Sequence, residues 1–377
     1  MMNKKIKQNK GRVEHGGNLR DFSERFQIHE NEIIDFSSNI NPLGIAPSVA
    51  SVYHESLSEI TRYPDPAARE LRQEIAHQYD LKPENVIAGN GSMSLIELAI
   101  RTIRPRRALL VEPCFVEYKR LLKMIGAQIH SITLSEKNEF RFSLSQIEGV
   151  MNGIDMIILG HPNNPTGTAL ERSEMLSLMT SAKKRGIFLL IDEAFCDWSS
   201  DLSVAREAEK NKMLIVTRSL TKLFCLAGIR SGFALSTKKI IERMRTLQET
   251  WSCNALAQRL SIAALRDTEY RKRCLDWFQT ESAYLFKGLS CVPEIKVYPS
   301  RANFFLIKLK DREKQRHSFL EALTAKGVYL RECQGFQGLD KAFFRLALKL
   351  REENDLLLKI FHDDLLPQQI STEKVNC

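Results

Sequence analysis

The sequence predicts an α/β fold of three layers, in which helices cover both faces of a mostly parallel central sheet, together with a smaller α+β domain. Through the middle of the chain, short apolar runs alternate with helical patterns, which is typical of strand–helix–strand units. A polar or glycine-rich segment follows each run, and ligands of such sheets bind beyond the carboxyl ends of the strands. The predicted strands are residues 108–111, 156–159, 187–191, 213–217 and 232–235.

The length of the chain predicts two domains, because 377 residues exceed one ordinary hydrophobic core. Residues 1–45 are expected to form an N-terminal arm and part of the small domain, residues 46–275 the large domain, and residues 276–377 the rest of the small domain. A long helix is expected around residues 240–290. The polar segment 368–377 is expected to be disordered.

Charge and composition narrow the range of partners. The formal net charge is +9, but Lys and Arg are spread along the chain and do not interleave with aromatic residues as in a nucleic-acid surface. No apolar run is long enough to span a membrane, and the N-terminus lacks the apolar segment of a secretory signal. The eight cysteines form no Cys-x-x-Cys pair, which favours free thiols over a metal site. We therefore expect a cytoplasmic protein that binds neither metal, membrane nor nucleic acid.

Lys222 is flanked by groups that suit a phosphate. Ser219 and Thr221 supply hydroxyls just before it, and Arg230 supplies a guanidinium eight positions after it. A lysine forms an imine with an aldehyde readily when burial or nearby cations lower its pKa. Pyridoxal phosphate carries both an aldehyde and a phosphate, so the segment indicates this cofactor. The alternative is an ordinary surface lysine after a strand, but the small residues that follow permit close backbone approach and disfavour it.

Three other strand ends carry side chains that suit the same cofactor. Asp192 follows the strand at 187–191, and an aspartate beneath a pyridine nitrogen keeps that nitrogen protonated, which makes the ring an electron sink. A lone Asp after a strand can also be a cap. Asn164 stands in a turn-rich loop, where its amide can donate to a phenolic oxygen. Phe115 can stack on the ring or belong to the core.

A fourth signal is Gly91-Ser92-Met93, which precedes a helical pattern. Free backbone N–H groups and the helix dipole at such an N-terminus favour a phosphate. A plain N-cap by Ser92 explains the same residues equally well.

Together these residues resemble fold-type I pyridoxal-phosphate enzymes, the aspartate aminotransferase superfamily, over most of the chain. The resemblance implies that Lys222 forms the imine with the cofactor, that Asp192 pairs with the ring nitrogen and that Asn164 contacts the phenolic oxygen. It implies that Phe115 stacks on the ring. It also assigns the cofactor phosphate to Ser92, Met93, Ser219, Thr221 and Arg230, and it makes Gly91 part of the same cofactor-binding loop.

Tyr63, in an Arg-Tyr-Pro-Asp-Pro motif, matches a tyrosine that reaches the phosphate in the neighbouring subunit of these enzymes. The resemblance therefore implies a homodimer with shared active sites.

Two branches of the superfamily share this motif, the histidinol-phosphate aminotransferases and the threonine-phosphate decarboxylases of cobalamin synthesis. The His-Gly-Gly-Asn element at 15–18 and the segment 35–44 are similar to the decarboxylase branch. Phe195 stands where the aminotransferases generally carry a tyrosine that bonds the cofactor's phenolic oxygen.

By the same resemblance, Arg345 binds the α-carboxylate of the substrate, and Arg331 binds its phosphate together with His15 and Asn39. Arginine suits both duties because its planar fork binds carboxylate or phosphate through two hydrogen bonds. Both arginines lie in alternating patterns, so a solvated strand face is the other explanation for either one.

The resemblance thus implies decarboxylation of L-threonine O-3-phosphate to (R)-1-amino-2-propanol O-2-phosphate for the cobalamin nucleotide loop. The alternatives are an aminotransferase of the histidinol-phosphate type and a decarboxylase that acts on serine phosphate. Ile40 and Leu43 are candidate contacts for the methyl group that distinguishes the two phosphorylated amino acids. A ligand-sensing domain of a transcription regulator is disfavoured, because we expect no DNA-binding domain before the fold.

Overall fold

The computed structural model describes residues 15–365 of the chain, so the predicted disordered segment 368–377 lies outside the described residues. Within them there are twelve α-helices and thirteen β-strands. The helices are α1 (Leu19–Phe26), α2 (Pro47–Glu55), α3 (Arg69–Tyr79), α4 (Gly91–Ile103), α5 (Val116–Met124), α6 (Leu144–Gly149), α7 (Arg172–Arg185), α8 (Lys238–Leu247), α9 (Ala255–Arg266), α10 (Thr268–Ser290), α11 (Arg312–Ala325) and α12 (Arg351–Leu365). The strands are β1 (Ile34–Asp35), β2 (Val86–Asn90), β3 (Arg107–Glu112), β4 (Gln128–Thr133), β5 (Met156–Gly160), β6 (Phe188–Asp192), β7 (Leu214–Ser219), β8 (Ser231–Leu235), β9 (Ile295–Val297), β10 (Phe304–Leu309), β11 (Val328–Tyr329), β12 (Arg331–Glu332) and β13 (Phe343–Ala347).

A seven-stranded sheet forms the centre of the large domain, with the order β2-β8-β7-β6-β5-β3-β4. Only β8 runs antiparallel to its neighbours in this sheet, so the predicted mostly parallel sheet is confirmed. The five predicted strands correspond to β3, β5, β6, β7 and β8. The sequence did not predict β4, because this strand lies at the sheet edge and has no continuous apolar run.

The central strands are buried on both faces, which produces the three layers. Successive side chains of a strand point to opposite faces, and Leu189 and Leu190 of β6 accordingly pack into two separate apolar clusters. One cluster contains side chains of α4, α5 and α8, and the other contains side chains of α3, α7 and α9. Near-continuous apolar runs in these strands follow from burial on both faces.

Two smaller sheets combine segments from both ends of the chain. Strands β12, β13, β10 and β9 form an antiparallel sheet, while β1 pairs in parallel with β11, with Ile34 opposite Val328. An N-terminal segment therefore lies against the C-terminal part, as expected for a small domain built from both. We propose domain boundaries after residues 45 and 275. The second boundary falls inside α10.

The expectation of one long helix around residues 240–290 is wrong, because three helices occupy this region: α8, α9 and α10. Trp251 adopts a left-handed backbone conformation with φ 59° after α8 has ended. The Asn254 side chain then accepts from the Ala257 N–H and caps α9, and Asp267 accepts from the Tyr270 N–H and caps α10. Asn and Asp are preferred N-cap residues, so both breaks had a signal in the sequence.

The described residues bear on two expectations, one about the cysteines and one about membrane-spanning segments. The seven cysteines among them are free thiols, and Cys377 lies outside this part of the chain. No helix between residues 15 and 365 has both the length and the apolar composition needed to cross a bilayer.

Gly232 allows β8 to lie directly against the start of α4. A Cβ atom added at Gly232 would lie 2.5 Å from the backbone nitrogen of Ser92 and 2.8 Å from the carbonyl oxygen of Arg218. Both neighbours are backbone atoms, which cannot rotate away.

We expect Gly232→Ala to lower the free energy of unfolding by about 2 kcal/mol, because the added methyl group must push two backbone segments apart. The matched control is Gly149→Ala at the end of α6, where an added Cβ meets no atom within 4 Å. Urea unfolding of both variants measures the difference. Equal stability of the two variants would contradict the proposed close packing.

Candidate active site

A cavity of about 560 Å³ opens at the carboxyl ends of β5, β6 and β7. Parallel strands end at the same edge of a sheet, so Asp192 at the end of β6 and Ser219 at the end of β7 lie together there. Thirteen of the fifteen predicted site residues line this cavity. They are His15, Asn39, Ser92, Met93, Phe115, Asn164, Asp192, Ser219, Thr221, Lys222, Arg230, Arg331 and Arg345.

The other two predicted residues lie outside the cavity lining. Gly91 begins α4 with φ +78°, and a Cβ there would lie 2.7 Å from Nη2 of Arg230. The missing side chain therefore lets the helix N-terminus and the guanidinium approach each other. Tyr63 is 79% exposed and stacks on Trp251 with ring centroids 4.3 Å apart. Its role in a neighbouring subunit stays a prediction.

Lys222 follows β7, and its carbonyl oxygen accepts a hydrogen bond from the backbone of Asn41. Burial and the guanidinium groups of Arg345 and Arg230 lower the pKa of the Lys222 amine to about 8, while Asp192 opposes this shift. The loss of basicity is what a lysine needs to offer a neutral, nucleophilic amine near neutral pH. The sequence argument from nearby cations therefore holds, although the larger cause is burial.

Asp192 receives three hydrogen bonds. Its Oδ2 accepts from the Tyr118 hydroxyl at 2.7 Å, and its Oδ1 accepts from the Ala194 N–H at 3.2 Å and the Thr217 hydroxyl at 3.3 Å. Burial raises the pKa of Asp192, and these hydrogen bonds together with Lys222 act in the opposite direction. Burial and the neighbouring carboxylate raise the pKa of Tyr118 well above its usual value, so its hydroxyl remains a donor.

Arg345 joins three segments at the cavity. Its Nη1 donates to Oδ1 of Asn164 and its Nη2 donates to the carbonyl oxygen of Ser37, both at 2.6 Å. The Nε atom is buried without a hydrogen-bond partner among the described residues. Arg331 is also buried, so a solvated strand face is the wrong explanation for either arginine. The hydrogen-bond partners of Arg345 are neutral, so its buried guanidinium suits an anionic group of a ligand in the cavity.

The residues present fit pyridoxal phosphate. The N-terminus of α4, Arg230 and the hydroxyls of Ser219 and Thr221 form a cradle for a phosphate, in which Gly91 leaves space that a Cβ would fill. Lys222 supplies the amine for the aldehyde, and Asp192 supplies a carboxylate for the ring nitrogen. Asn164 has its amide oxygen bonded to Arg345, so its NH₂ group is left to donate to the phenolic oxygen.

The sequence did not indicate several residues that line the cavity. Tyr118 stands one helical turn after Phe115, and Glu117 and Arg120 of the same helix also line the cavity. The spacing of Tyr118 from Phe115 is the only signal for it, and an ordinary core residue gives the same signal. Of the two candidate methyl contacts, Ile40 lines the cavity. Leu43 does not and is 37% exposed, so that expectation is wrong.

Comparisons with known proteins agree with this geometry. A model of the family described as aminotransferase class I and II matches residues 31–360. The threonine-phosphate decarboxylase of Salmonella typhimurium is 33% identical over 346 residues, which cover 91% of this chain and 94% of that protein. A histidinol-phosphate aminotransferase of Methanococcus maripaludis is 31% identical over 356 residues, 92% of this chain and 94% of that protein. The solved structure of the histidinol-phosphate aminotransferase from Clostridium acetobutylicum superposes with a TM-score of 0.82 at 29% identity, covering 87% of this chain and 98% of that chain.

The pKa of Lys222 predicts how the cofactor-free protein takes up pyridoxal phosphate. The rate of uptake, followed by absorbance, should rise with pH to a midpoint of about 8, because only the neutral amine attacks the aldehyde. Arg345→Gln removes a nearby positive charge and should move the midpoint to higher pH. Arg331→Gln is the matched control and should leave it in place, and Lys222→Ala should remove the absorbance change. A midpoint near the ordinary lysine value of about 10.4 would contradict the assignment.

Proposed function

The chain belongs to the aminotransferase class I and II family, and from this we propose that it catalyses the decarboxylation of L-threonine O-3-phosphate. The product would be (R)-1-amino-2-propanol O-2-phosphate, for the nucleotide loop of cobalamin. The observation that carries the proposal is the pair of buried arginines, Arg331 and Arg345, at one cavity with Lys222.

Family membership confirms the expected aspartate aminotransferase-like fold and the expected cofactor, because enzymes of this family depend on pyridoxal phosphate. The choice of reaction is supported by the relative from Salmonella typhimurium, which is a threonine-phosphate decarboxylase. A histidinol-phosphate aminotransferase at nearly the same identity supports the alternative, transamination of a phosphorylated amino compound. Both branches act on phosphorylated substrates, and the residues in the cavity suit that shared chemistry.

We assign the substrate carboxylate to Arg345. The hydrogen bonds to Asn164 and Ser37 fix the direction of its guanidinium before any substrate binds, and its buried Nε is left to donate. We assign the substrate phosphate to Arg331, His15 and Asn39. Asn39 supports this assignment, because it lines the cavity and its buried amide oxygen has no partner among the described residues.

The bound cofactor supplies an electron sink for the bond that breaks at the substrate α-carbon. Arg345 would hold the carboxylate until the bond to the α-carbon breaks and carbon dioxide leaves, and Lys222 would then donate a proton that takes its place on the α-carbon. Asp192, bonded by Tyr118 and Thr217, presents a carboxylate for the ring nitrogen. Loss of the carboxylate and loss of the α-proton compete, and the two anion sites decide between them by setting the orientation of the substrate.

Phe195 supports decarboxylation. Its buried ring lies 5.6 Å from Nζ of Lys222 and contacts Phe304, and a phenyl ring offers no hydroxyl to the phenolic oxygen of the cofactor. Asn164 is left as the amide donor at that position. The aminotransferase branch generally has a tyrosine there, so the electronic environment of the cofactor differs between the branches.

We further propose a homodimer with shared active sites. Among the exposed large apolar side chains, Tyr63 stacks on Trp251, and this contact joins two separate segments of the described chain. Leu57 and Ile60 are exposed in the first of these segments and Leu247 in the second. Exposed apolar patches of this kind mark protein interfaces.

Purified protein with pyridoxal phosphate should release one carbon dioxide per L-threonine O-3-phosphate consumed, without any keto acid acceptor. Arg345→Gln should lower kcat/KM about 100-fold, because truncation of one partner leaves a carboxylate without its buried ion pair. Lys222→Ala should release none. Carbon dioxide measurement and detection of the amino alcohol phosphate test this directly.

Conversion of a phosphorylated amino compound to a keto product only when 2-oxoglutarate is present would overturn the decarboxylase proposal in favour of transamination. A competition between L-threonine O-3-phosphate and L-serine O-phosphate in one assay resolves the substrate. One methyl group contributes only about 1 to 3 kcal/mol of discrimination. Ile40→Ala should reduce that preference if Ile40 contacts the methyl group.

Mixing an inactive variant with an impaired one tests the shared site. Subunits with Lys222→Ala and subunits with Tyr63→Phe should regain up to about a quarter of wild-type activity when mixed. Half of the random dimers then contain one site with an intact Lys222 and the intact Tyr63 of the other subunit. No gain above the Tyr63→Phe protein alone would show that Tyr63 serves its own subunit or no site.

A further inference from the structure

A buried carboxylate lies in a cavity that otherwise presents cations to its ligand. Glu117 of α5 is buried and lines the same cavity as Arg331, Arg345 and Arg230. A carboxylate at this place opposes an anionic substrate unless other groups neutralise it. Its presence in the phosphate-binding part of the site therefore needs a reason.

Both oxygens of Glu117 have partners. Oε1 lies 3.1 Å from Nε2 of His15, and Oε2 accepts from Nε of Arg120 one turn along the same helix. His15 and Arg120 are each half exposed at the mouth of the cavity. Each oxygen of the carboxylate thus has a partner on a neighbouring side chain that can carry or share hydrogen.

The backbone next to His15 is fixed from the other side. The Gly17 N–H donates to Oγ of Ser37 at 2.7 Å, and a Cβ at Gly16 would lie 2.1 Å from the Ser37 carbonyl oxygen. The arm therefore rests on the segment that also holds Arg345 through the Ser37 carbonyl. The imidazole of His15 reaches α5 through its contact with Glu117.

Glu117 is the one hydrogen-bond partner of the His15 ring within residues 15–365, and the nearest ring contact is Phe115 at 6.0 Å between centroids. Removing the carboxylate would leave the imidazole free to rotate. With Nε2 held by Glu117, Nδ1 is the nitrogen left for a ligand in the cavity.

We propose that Glu117 is a positioning residue for recognition of the substrate phosphate. It holds the imidazole of His15 across the cavity mouth, so that Nδ1 bonds the phosphate that Arg331 also binds. This inference rests on the proposed function, because it requires a phosphorylated substrate.

The test compares kinetic parameters of the holoenzyme with L-threonine O-3-phosphate. Glu117→Ala should raise KM about tenfold with kcat changed less than about twofold, because the groups around Lys222 are untouched. His15→Ala should raise KM similarly, and the double variant should be no worse than His15→Ala alone, because Glu117 acts through His15. Glu117→Gln retains an acceptor for His15 and should recover part of the affinity.

The matched control is Glu97→Ala, which removes a glutamate of α4 that pairs with Arg101, and it should keep the wild-type KM. Additive effects of Glu117→Ala and His15→Ala, or a fall in kcat without a change in KM, would overturn the inference while the proposed function stands. If the wild-type enzyme releases no carbon dioxide, the proposed function fails. Binding of inorganic phosphate to the holoenzyme then tests the inference. Glu117→Ala should raise the Kd for phosphate, and an unchanged Kd would overturn the inference.

Discussion

The position of Arg345 ties the active site to the rest of the fold. The residue lies in β13 of the small antiparallel sheet, and its guanidinium donates to Asn164 beyond the large sheet and to Ser37 beyond β1. Three segments that are distant in sequence therefore meet at one buried cation. The same cation adds to the effect of burial in lowering the pKa of Lys222. One side chain thus contributes both to the reactivity of the lysine and to the proposed anion site.

A comparison of two buried arginines shows why Arg345 indicates a ligand. Arg218 is just as buried, but it forms ion pairs with Glu193 and Asp197, so its charge is compensated inside the protein. The hydrogen-bond partners of Arg345 are both neutral, and one of its N–H groups has none among the described residues. A buried cation without a carboxylate partner is costly, and an anionic ligand would offset that cost. Arg218 is therefore structural, whereas Arg345 is suited to bind substrate.

The parts of the site that the sequence predicts are those that follow strands. Asp192 and Lys222 stand after buried apolar runs, and a parallel sheet must bring such positions to one edge. Tyr118 and Glu117 lie within a helix, where no local pattern separates a cavity side from a core side. The wrong long helix has a similar cause, because Asn254 and Asp267 are cap residues in the structure, but polar residues on the exposed face of one long helix would look the same in the sequence. Burial also decided between alternatives that the sequence left open at Arg331 and Arg345.

In the proposed reaction, the choice between losing carbon dioxide and losing a proton is a question of orientation, which two anion sites would set together. Arg345 alone would leave a substrate free to rotate about its carboxylate, whereas a second contact at Arg331, Asn39 and His15 would remove that freedom. The structure connects both contacts through Ser37, which supports the His-Gly-Gly arm by its side chain and Arg345 by its carbonyl oxygen. A shift of the arm would therefore be transmitted to the carboxylate site. We therefore infer that two enzymes with the same lysine, aspartate and arginine can follow different reactions when the segment around Ser37 differs.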